Sequence, residues 1–277
     1  MHLREREPRT PATAPGRATT TRTTRWRSRP GNNDPLLLID NVPYLEIRNF
    51  EFDGQNNLKN LVVIKGLCPR LLMDGCDFTA ARESFVRFEN AQGSDRARIL
   101  ISSSRFTPGD ATDAKPSFIE FATGTRSQDA CRAIDISGTL NGKDQITAGI
   151  VVAGPTSDVA LRTVTVSNMQ TAMLIRAAAL TGQPASPVFR LDRCRFERLQ
   201  QAFQFESIPQ PGQTFIDISN SGFFDVRLLA TTEDVQPEPQ TIVVANVNWI
   251  WHPEISARNV APGGVKRYFR RTFDLVN

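Results

Sequence analysis

The sequence predicts an all-β protein: a right-handed parallel β-helix, a solenoid of about eight coils with equivalent residues stacked about 4.8 Å apart. Three observations predict this fold. An eight-residue motif recurs along the chain, and a second series of short β-branched and aromatic segments alternates with it. No segment shows the apolar spacing of an amphipathic helix long enough to pack as one.

The motif reads apolar, any, apolar, two polar residues, a small or apolar residue, any, phenylalanine. Its clearest copies are "LEIRNFEF" (45–52), "LLMDGCDF" (71–78), "ILISSSRF" (99–106), "FRLDRCRF" (189–196) and "IDISNSGF" (216–223). Weaker copies are "AIDISGTL" (133–140) and "VTVSNMQT" (164–171). Successive copies start roughly 25 to 35 residues apart, which is typical of a stacked repeat.

The motif predicts which side chains point into the solenoid and which face solvent. In "FRLDRCRF" the apolar positions are predicted to point inward, and the charged residues between them outward. The final phenylalanines are predicted to form one internal aromatic ladder of Phe52, Phe78, Phe106, Phe196 and Phe223. The neighbouring internal stack is predicted to contain Phe50, Cys76, Ser104, Cys194 and Ser221.

The second series also reads as strands. Its members are "LLLID" (36–40), "LVVIK" (61–65), "FVRFE" (85–89), "FIEFA" (118–122), "GIVVA" (149–153), "MLIRA" (173–177), "FQFES" (203–207) and "TIVVA" (241–245). A β-sandwich would place Asn-Gly or Asp-Gly hairpin turns between neighbouring strands. Asp-Gly occurs at 53–54 and 74–75, inside or at the end of the motif, so the pattern favours the solenoid.

The chain divides into three regions. Residues 1–34 carry eight arginines against three acidic residues, have little apolar periodicity and are predicted to be a disordered Arg/Thr/Pro-rich tail. Residues 35–250 form the predicted β-helix, and 251–277 a C-terminal extension or partial cap. Because the excess positive charge lies in the tail, the net charge of +4 does not indicate a nucleic-acid partner for the body.

The four cysteines, Cys68, Cys76, Cys131 and Cys194, are widely spaced. They form no Cys-x-x-Cys pair, so zinc binding is not predicted. Buried free thiols acting as small apolar side chains are the expectation. No apolar run is long enough for a transmembrane helix, and no export signal is evident. An extracellular or cell-surface location is expected only for a longer exported protein, and a cytoplasmic one otherwise.

Over about residues 35–250 the paired motif resembles the pectate-lyase-like superfamily of right-handed parallel β-helices. It is most similar to degenerate coils of Arg-rich bacterial β-helix proteins, some of them attached to serine/threonine kinase domains in planctomycetes. The resemblance implies a polysaccharide ligand. Lyases of this superfamily hold Ca²⁺ with clustered carboxylates and use Arg or Lys as the base, whereas hydrolases use Asp pairs with a nearby His.

Neither catalytic pattern is complete in this sequence. The only histidines are His2, in the tail, and His252, and there is no Asp-Asp pair and no Gly-His-Gly segment. No kinase signature is present either. The sequence therefore predicts no catalytic residue, no metal site and no cofactor.

Five residues are candidate binding residues. Asp192 and Asp217 are predicted to face outward on neighbouring coils beside Arg190, where an ion pair on a solvated face is the alternative interpretation. Trp249 and Trp251 lie two residues apart, so both indoles would share one side of a strand and could stack on a sugar ring, or could cover the end of the solenoid.

A separate pair of outward residues, Arg87 and Glu120, is predicted to lie one coil apart and to form a surface ion pair. Together these features favour a non-catalytic β-helix module that binds carbohydrate or protein and belongs to a larger polypeptide. Two alternatives stay open. One is a polysaccharide lyase or glycoside hydrolase of the same superfamily, and the other is a scaffold segment of a kinase-like protein. The sequence does not indicate an oligomeric state.

Overall fold

The protein is a parallel β-solenoid of about seven turns, close to the predicted number. Its computed structural model describes residues 24–28, 34–109, 115–123, 130–180, 188–206 and 215–232, together with the backbone of 242–245, 248–250 and 274–275. Every ladder between the named strands is parallel. The predicted all-β parallel solenoid is therefore confirmed.

The described part of the chain contains nineteen strands and one short 3-10 helix, Ala177–Leu180. The strands are β1 (Thr24–Arg27), β2 (Leu37–Asp40), β3 (Leu45–Arg48), β4 (Phe50–Asp53), β5 (Asn60–Leu67), β6 (Leu71–Asp74), β7 (Asp77–Thr79), β8 (Ser84–Gln92), β9 (Ile99–Thr107), β10 (Ser117–Ala122), β11 (Cys131–Val152), β12 (Thr156–Ile175), β13 (Phe189–Asp192), β14 (Arg195–Phe205), β15 (Ile216–Ser219), β16 (Gly222–Thr232), β17 (Ile242–Ala245), β18 (Asn248–Ile250) and β19 (Asp274–Leu275).

The strands form three faces. Face 1 contains β3, β6, β13, β15, β17 and the segments 99–102, 134–136 and 159–162. Face 2 contains β1, β4, β7, β18, β19 and the segments 105–107, 139–141, 165–167, 195–197 and 222–224. Face 3 contains β2, β5, β8, β10 and the segments 150–152, 173–175, 203–205 and 230–232.

The interior is a continuous apolar core with stacked aromatic rings. Phe78 is fully buried between Phe52 and Phe106, with ring centroids 5.1 and 4.7 Å apart and planes within 10° of parallel. Phe196 and Phe223 stack in the same way at 4.8 Å. Because parallel strands stack like positions over like positions, one motif residue repeated along the chain becomes one column of the core.

The predicted single aromatic ladder is two ladders. Leu140 and Val166 occupy the two coils between Phe106 and Phe196 in the same column. In the neighbouring stack Cys76, Ser104, Cys194 and Ser221 are buried as predicted. Phe50, at its outer end, is only half-buried and packs edge-to-face on Trp26, with centroids 5.1 Å apart.

A single residue in left-handed conformation turns the chain from face 1 to face 2. This is the fifth motif position, with φ between 49° and 62° at Asn49, Gly75, Ser103, Arg193 and Asn220. The sharp corner keeps the next motif residue pointing inward. The backbone N–H groups of Cys76 and Cys194 then donate hydrogen bonds to Ser104 Oγ and Ser221 Oγ of the following coil, at 3.2 and 3.0 Å.

One coil makes this corner with one residue fewer. Its register with the coils on either side shifts between Ile136 and Gly138. Gly138 has φ 138°, and a methyl group at its Cα would overlap the backbone carbonyl oxygen of Ser104. Only glycine fits this shortened corner without strain, which keeps Leu140 in the interior column.

The sequence prediction placed one weak copy of the motif five residues too far along the chain. β12 pairs with β13 over 159–162, so the copy in that coil is "VALRTVTV" (159–166) and not "VTVSNMQT" (164–171). Both segments alternate apolar and polar residues, so periodicity did not separate them. Ala160 and Arg162 therefore occupy outward positions of face 1.

One strand of the second series was also assigned to the wrong face. "TIVVA" (241–245) supplies β17, which pairs with β15 on face 1. With the residues after it, the sequence "IVVANVNW" (242–249) is a further motif copy. The true face 3 strand of the preceding coil is 230–232, which pairs with 203–205. The β-branched residues of 242–244 fit either series of strands, so only the pairing with β15 shows that this segment belongs to face 1.

Part of the region predicted as a disordered tail is a strand. β1 pairs in register with β4, with Trp26 opposite Phe52. Arg25 forms ion pairs with Glu51 and Asp53 at 2.9 and 2.7 Å. Trp26 is the one tryptophan, tyrosine or phenylalanine among residues 1–34, and its contact with the aromatic column explains why this segment joins the solenoid.

Replacing Gly138 by alanine should destabilise the protein by about 2–4 kcal/mol, because the added methyl overlaps backbone and the left-handed φ is strained for other residues. Thr139→Ala, at the exposed next position, is the matched control and should change stability by less than about 0.5 kcal/mol. Urea unfolding measures both. Equal stability of the two variants would contradict the tight corner.

Truncating Phe78 to alanine should cost about 3–5 kcal/mol in free energy of unfolding, because the ring is buried between two other rings. Phe78→Leu should cost less than half as much, since Leu140 already fills this column elsewhere. Thermal and urea unfolding of both variants provide the measurement. A loss for Phe78→Leu as large as for Phe78→Ala would show that ring stacking, not filled volume, dominates.

Candidate functional site

The outward surface of face 1 carries a row of charged residues across successive coils. In register from coil to coil, Leu100 is followed by Asp135, Ala160, Arg190 and Asp217. Two of the predicted binding residues, Arg190 and Asp217, are thus direct neighbours, as the sequence indicated. The small Ala160, which sequence reasoning did not place here, separates Asp135 from Arg190.

Arg98 connects the carboxylates of this region. Its guanidinium contacts Asp135 through Nε, 2.7 Å from Oδ1, and Asp158 through Nη1, 2.6 Å from Oδ2. Nη2 also donates to the backbone oxygen of Asp158 at 2.8 Å. Arg190 Nη1 lies 3.1 Å from the other Asp158 oxygen, and Arg162 Nε 3.6 Å from Asp135 Oδ2. These five residues are called the Arg98 network below.

Local structure explains how Arg98 reaches so far. It follows a tight turn in which Ser94 and Ala97 exchange backbone hydrogen bonds of 2.9 and 3.1 Å. Asp158 lies two coils further on, and Ala133 occupies the equivalent position in the coil between them. Because Ala133 has only a methyl group, the arginine can cross that coil. Asp95 and Arg96 are the exposed central residues of this turn.

The centre of the network is mostly buried, and its three guanidinium groups share two carboxylates. The side chains of Arg98 and Asp135 are 20% and 19% exposed. Burial by itself lowers the pKa of the Arg98 guanidinium, but hydrogen bonds and charge from Asp158 and Asp135 outweigh it, so the pKa is raised above its usual value. Arg98 therefore stays charged over the whole physiological range and holds both carboxylates in place.

Asp192, a third predicted residue, lies next to Arg162 in register but belongs to a different cluster. Its carboxylate accepts hydrogen bonds from Asn220 Nδ2 at 2.9 Å, Arg193 Nε at 3.0 Å and Ser219 Oγ at 3.3 Å. The Asn220 hydrogen bond is the largest cause that lowers the pKa of Asp192, and Arg193 and Ser219 add to it against burial. These hydrogen bonds hold Asp192 at the corner between face 1 and face 2, next to the left-handed residue Arg193.

For the two tryptophans predicted to bind sugar, the structure describes only the backbone of Trp249. The backbone of Trp249 pairs with Phe223, so this residue takes the phenylalanine position of a motif copy. Its side chain, and all of Trp251, lie outside the described residues. Sugar stacking by these indoles stays a prediction.

Sequence reasoning missed Arg98, Asp158 and Arg162. Arg98 lies in the turn between β8 and β9, Asp158 lies near the start of β12 with a left-handed φ of 49°, and sixty positions separate them along the chain. Arg162 was missed because the motif copy at 164–171 was framed wrongly. Its signal was present in "VALRTVTV", which has the motif spacing and carries Arg162 at an outward position.

The arrangement is suited to binding more than to acid–base chemistry. Each carboxylate of the Arg98 network faces a guanidinium, whereas catalytic carboxylates are usually tuned by burial or by like-charged neighbours. Within the part of the chain that the structure describes, no group of three or more His, Cys, Asp or Glu side chains is placed to hold a metal ion. The network offers five planar polar groups, of which Arg98 and Asp135 are the most buried and Arg162 and Arg190 are about half exposed.

The four cysteines are buried free thiols, as predicted. Burial raises the pKa of Cys131 to about 12 and that of Cys194 to about 11. Burial also raises the pKa of Cys68 and Cys76. These thiols therefore act as small core side chains rather than nucleophiles.

The chain matches no protein-family model, no curated protein and no solved structure at a significant level. Among the described residues, no helix is both long and apolar enough to cross a membrane.

The native thiols should resist alkylation by iodoacetamide at pH 8, because both burial and a raised pKa keep thiolate scarce. In denaturing urea all four should react. A Leu100→Cys variant supplies an exposed thiol on face 1 as the positive control. Fast labelling of the native wild-type protein would contradict the buried placement.

The raised pKa values of the buried thiols also mean that the free energy of unfolding falls as the pH rises above about 9, where unfolded thiols lose protons that native thiols keep.

Proposed function

We propose that the protein is a carbohydrate-binding β-helix module without catalytic turnover, and that the Arg98 network forms the centre of its binding surface. The observation that carries this proposal is the cluster of guanidinium and carboxylate groups that pair with one another across neighbouring coils of face 1. Sugar hydroxyls both donate and accept hydrogen bonds. Arginine supplies five donors in a fixed plane and a carboxylate supplies acceptors only, so the two together suit a polyhydroxylated ligand.

The charge balance favours a neutral glycan. With Asp217, three carboxylates stand beside the three guanidinium groups of the network. A surface of alternating sign attracts neither a polyanion nor a polycation strongly. Leu72 and Leu100, neighbours in register beside the network, add apolar surface against which the C–H face of a sugar ring can pack.

The resemblance of the motif to pectate-lyase-like β-helices supports a polysaccharide ligand as well. The lyase or hydrolase alternative requires converging carboxylates, for which the paired charges of face 1 give no support. The alternative of a scaffold segment from a kinase-like protein predicts no glycan binding at all. A protein ligand for the module is distinguished by the same experiment.

The test is binding of the wild-type protein to a panel of neutral and uronic-acid oligosaccharides, measured by calorimetry after an array screen. Arg98→Ala and Arg190→Ala should each weaken binding of a neutral ligand at least about tenfold, because hydrogen bonds to charged groups are worth about 1.5–3 kcal/mol. Arg105→Ala is the matched control. It breaks the Arg105–Asp77 pair on face 2, and should leave affinity unchanged.

Thermal unfolding of each variant separates loss of binding from loss of fold. Absence of binding to every glycan, or equal losses for Arg98→Ala and Arg105→Ala, would overturn the proposed site. Incubation with uronic-acid polymers, with and without Ca²⁺, completes the test. Release of an unsaturated, ultraviolet-absorbing product would establish a lyase instead of a binding module.

A further inference from the structure

Tyr44 is the one exposed aromatic residue among the side chains that the structure describes, with a relative exposure of 63%. It directly precedes β3 of face 1. A single exposed apolar residue is common on protein surfaces and does not by itself indicate a site. Tyr44 is informative because a row of face 1 residues connects it to the Arg98 network.

A chain of polar contacts favours one orientation of the Tyr44 ring. The hydroxyl donates a hydrogen bond to Glu46 Oε2 at 3.1 Å, and this hydrogen bond raises the pKa of Tyr44, so the hydroxyl stays protonated. Glu46 Oε1 in turn accepts a hydrogen bond from Arg48 Nε. Arg48 Nη1 lies 3.3 Å from Asp74 Oδ2 of the next coil. The ring therefore lies beside Glu46, the first residue of an outward row.

An apolar strip, formed by Leu72 and Leu100, joins this ring to the network. In register from coil to coil, Glu46 is followed by Leu72, Leu100 and Asp135. Leu100 is 37% exposed, and Leu72 is partly exposed. Three coil spacings, or about 14 Å, separate the coil of Tyr44 from the coil of Asp135. The row therefore has an aromatic ring at one end and guanidinium and carboxylate groups at the other.

The apolar strip runs across the coils rather than along the strands. The next outward residue of each strand is polar, namely Asp74 after Leu72 and Ser102 after Leu100. Ser102 Oγ donates a hydrogen bond to Asp74 Oδ1 at 2.6 Å, so these two side chains are engaged with each other. An apolar ligand face that covers both leucines must therefore lie along the solenoid axis.

We propose that an extended, neutral glycan lies along this row across successive coils, and that Tyr44 is a second contact point that stacks on a sugar ring. The inference rests on the proposed carbohydrate-binding function, and it adds the direction and the sugar type of the ligand. Tyrosine combines an apolar ring face with a polar tip, which suits the C–H face of a pyranose ring and its hydroxyls.

The apolar strip also restricts the configuration of the sugar. A pyranose ring whose substituents are all equatorial presents C–H groups on both faces. An axial hydroxyl would stand against leucine or the tyrosine ring, where it would lose its water without gaining a hydrogen-bond partner. The row therefore favours β-1,4-linked chains of gluco or xylo configuration over chains of manno configuration, which carry an axial hydroxyl at C2.

The test is calorimetry of the full chain with β-1,4-linked gluco-oligosaccharides of increasing length. Wild-type affinity should rise with length until the ligand spans from the Arg98 network to Tyr44, and then level off. Tyr44→Ala should weaken the longest ligands about tenfold, because no ring then covers the apolar face of a sugar, and should leave the shortest ligands unchanged. Tyr44→Phe keeps the ring and should retain most of the affinity. Manno-oligosaccharides of equal length should bind more weakly and be insensitive to Tyr44→Ala.

Leu38→Ala is the matched control, because Leu38 is a similarly exposed apolar residue on the neighbouring strand β2 of face 3. It should leave the affinity for every length unchanged. A second readout does not rely on affinity. The chain has two tyrosines, so in protein labelled with fluorotyrosine the fluorine resonance of Tyr44 is the one that Tyr44→Phe removes. Long ligands should shift that resonance, and short ligands should not.

The outcomes separate this inference from the proposed function. Binding that requires Arg98, but that Tyr44→Ala weakens equally at all lengths or not at all, overturns the Tyr44 contact and leaves the Arg98 network as the binding site. A preference for manno-configured chains overturns the proposed sugar type. A wild-type protein that binds no oligosaccharide overturns the proposed function, and this inference with it.

Discussion

The structure depends on one constraint: each residue of a coil must stack on the equivalent residue of the next coil, in parallel register. Backbone hydrogen bonds between coils enforce this alignment, and the core follows from it. Phe52, Phe78 and Phe106 stack ring on ring because the chain returns to the same position after each turn. Where the motif loses its phenylalanine, Leu140 and Val166 fill the same column, so the core changes chemistry without losing continuity.

The corners protect this alignment. A single left-handed residue between face 1 and face 2 turns the chain so that the next motif residue points inward again. Buried serine hydroxyls accept hydrogen bonds from backbone N–H groups at that corner. The coil that reaches Gly138 shows how strict the requirement is. With one residue fewer, the backbone adopts a conformation that only glycine accepts easily, and the following strand is back in phase.

The same stacking organises the surface. Outward residues also lie about 4.8 Å from their equivalents, so like charges in one column would repel. Several neighbouring pairs carry opposite charges: Asp77 with Arg105 on face 2, Arg87 with Glu120 on face 3, and the members of the Arg98 network on face 1. These pairs reduce the local net charge of the surface. The reduced charge on face 1 is the basis for the proposed contact with a neutral glycan.

The sequence by itself determined the motif, its inward and outward positions in the strong copies, the burial of the cysteines and the pairing of Arg87 with Glu120. These features are local or repeat at a regular interval, so composition and spacing reveal them. The tertiary structure alone decided the frame at 159–166 and the face of 242–245, because their β-branched residues fit more than one phase. It also decided that Arg98 meets Asp158. That contact joins the turn before β9 to a residue near the start of β12 across an intervening coil, and no periodic pattern in the chain encodes it.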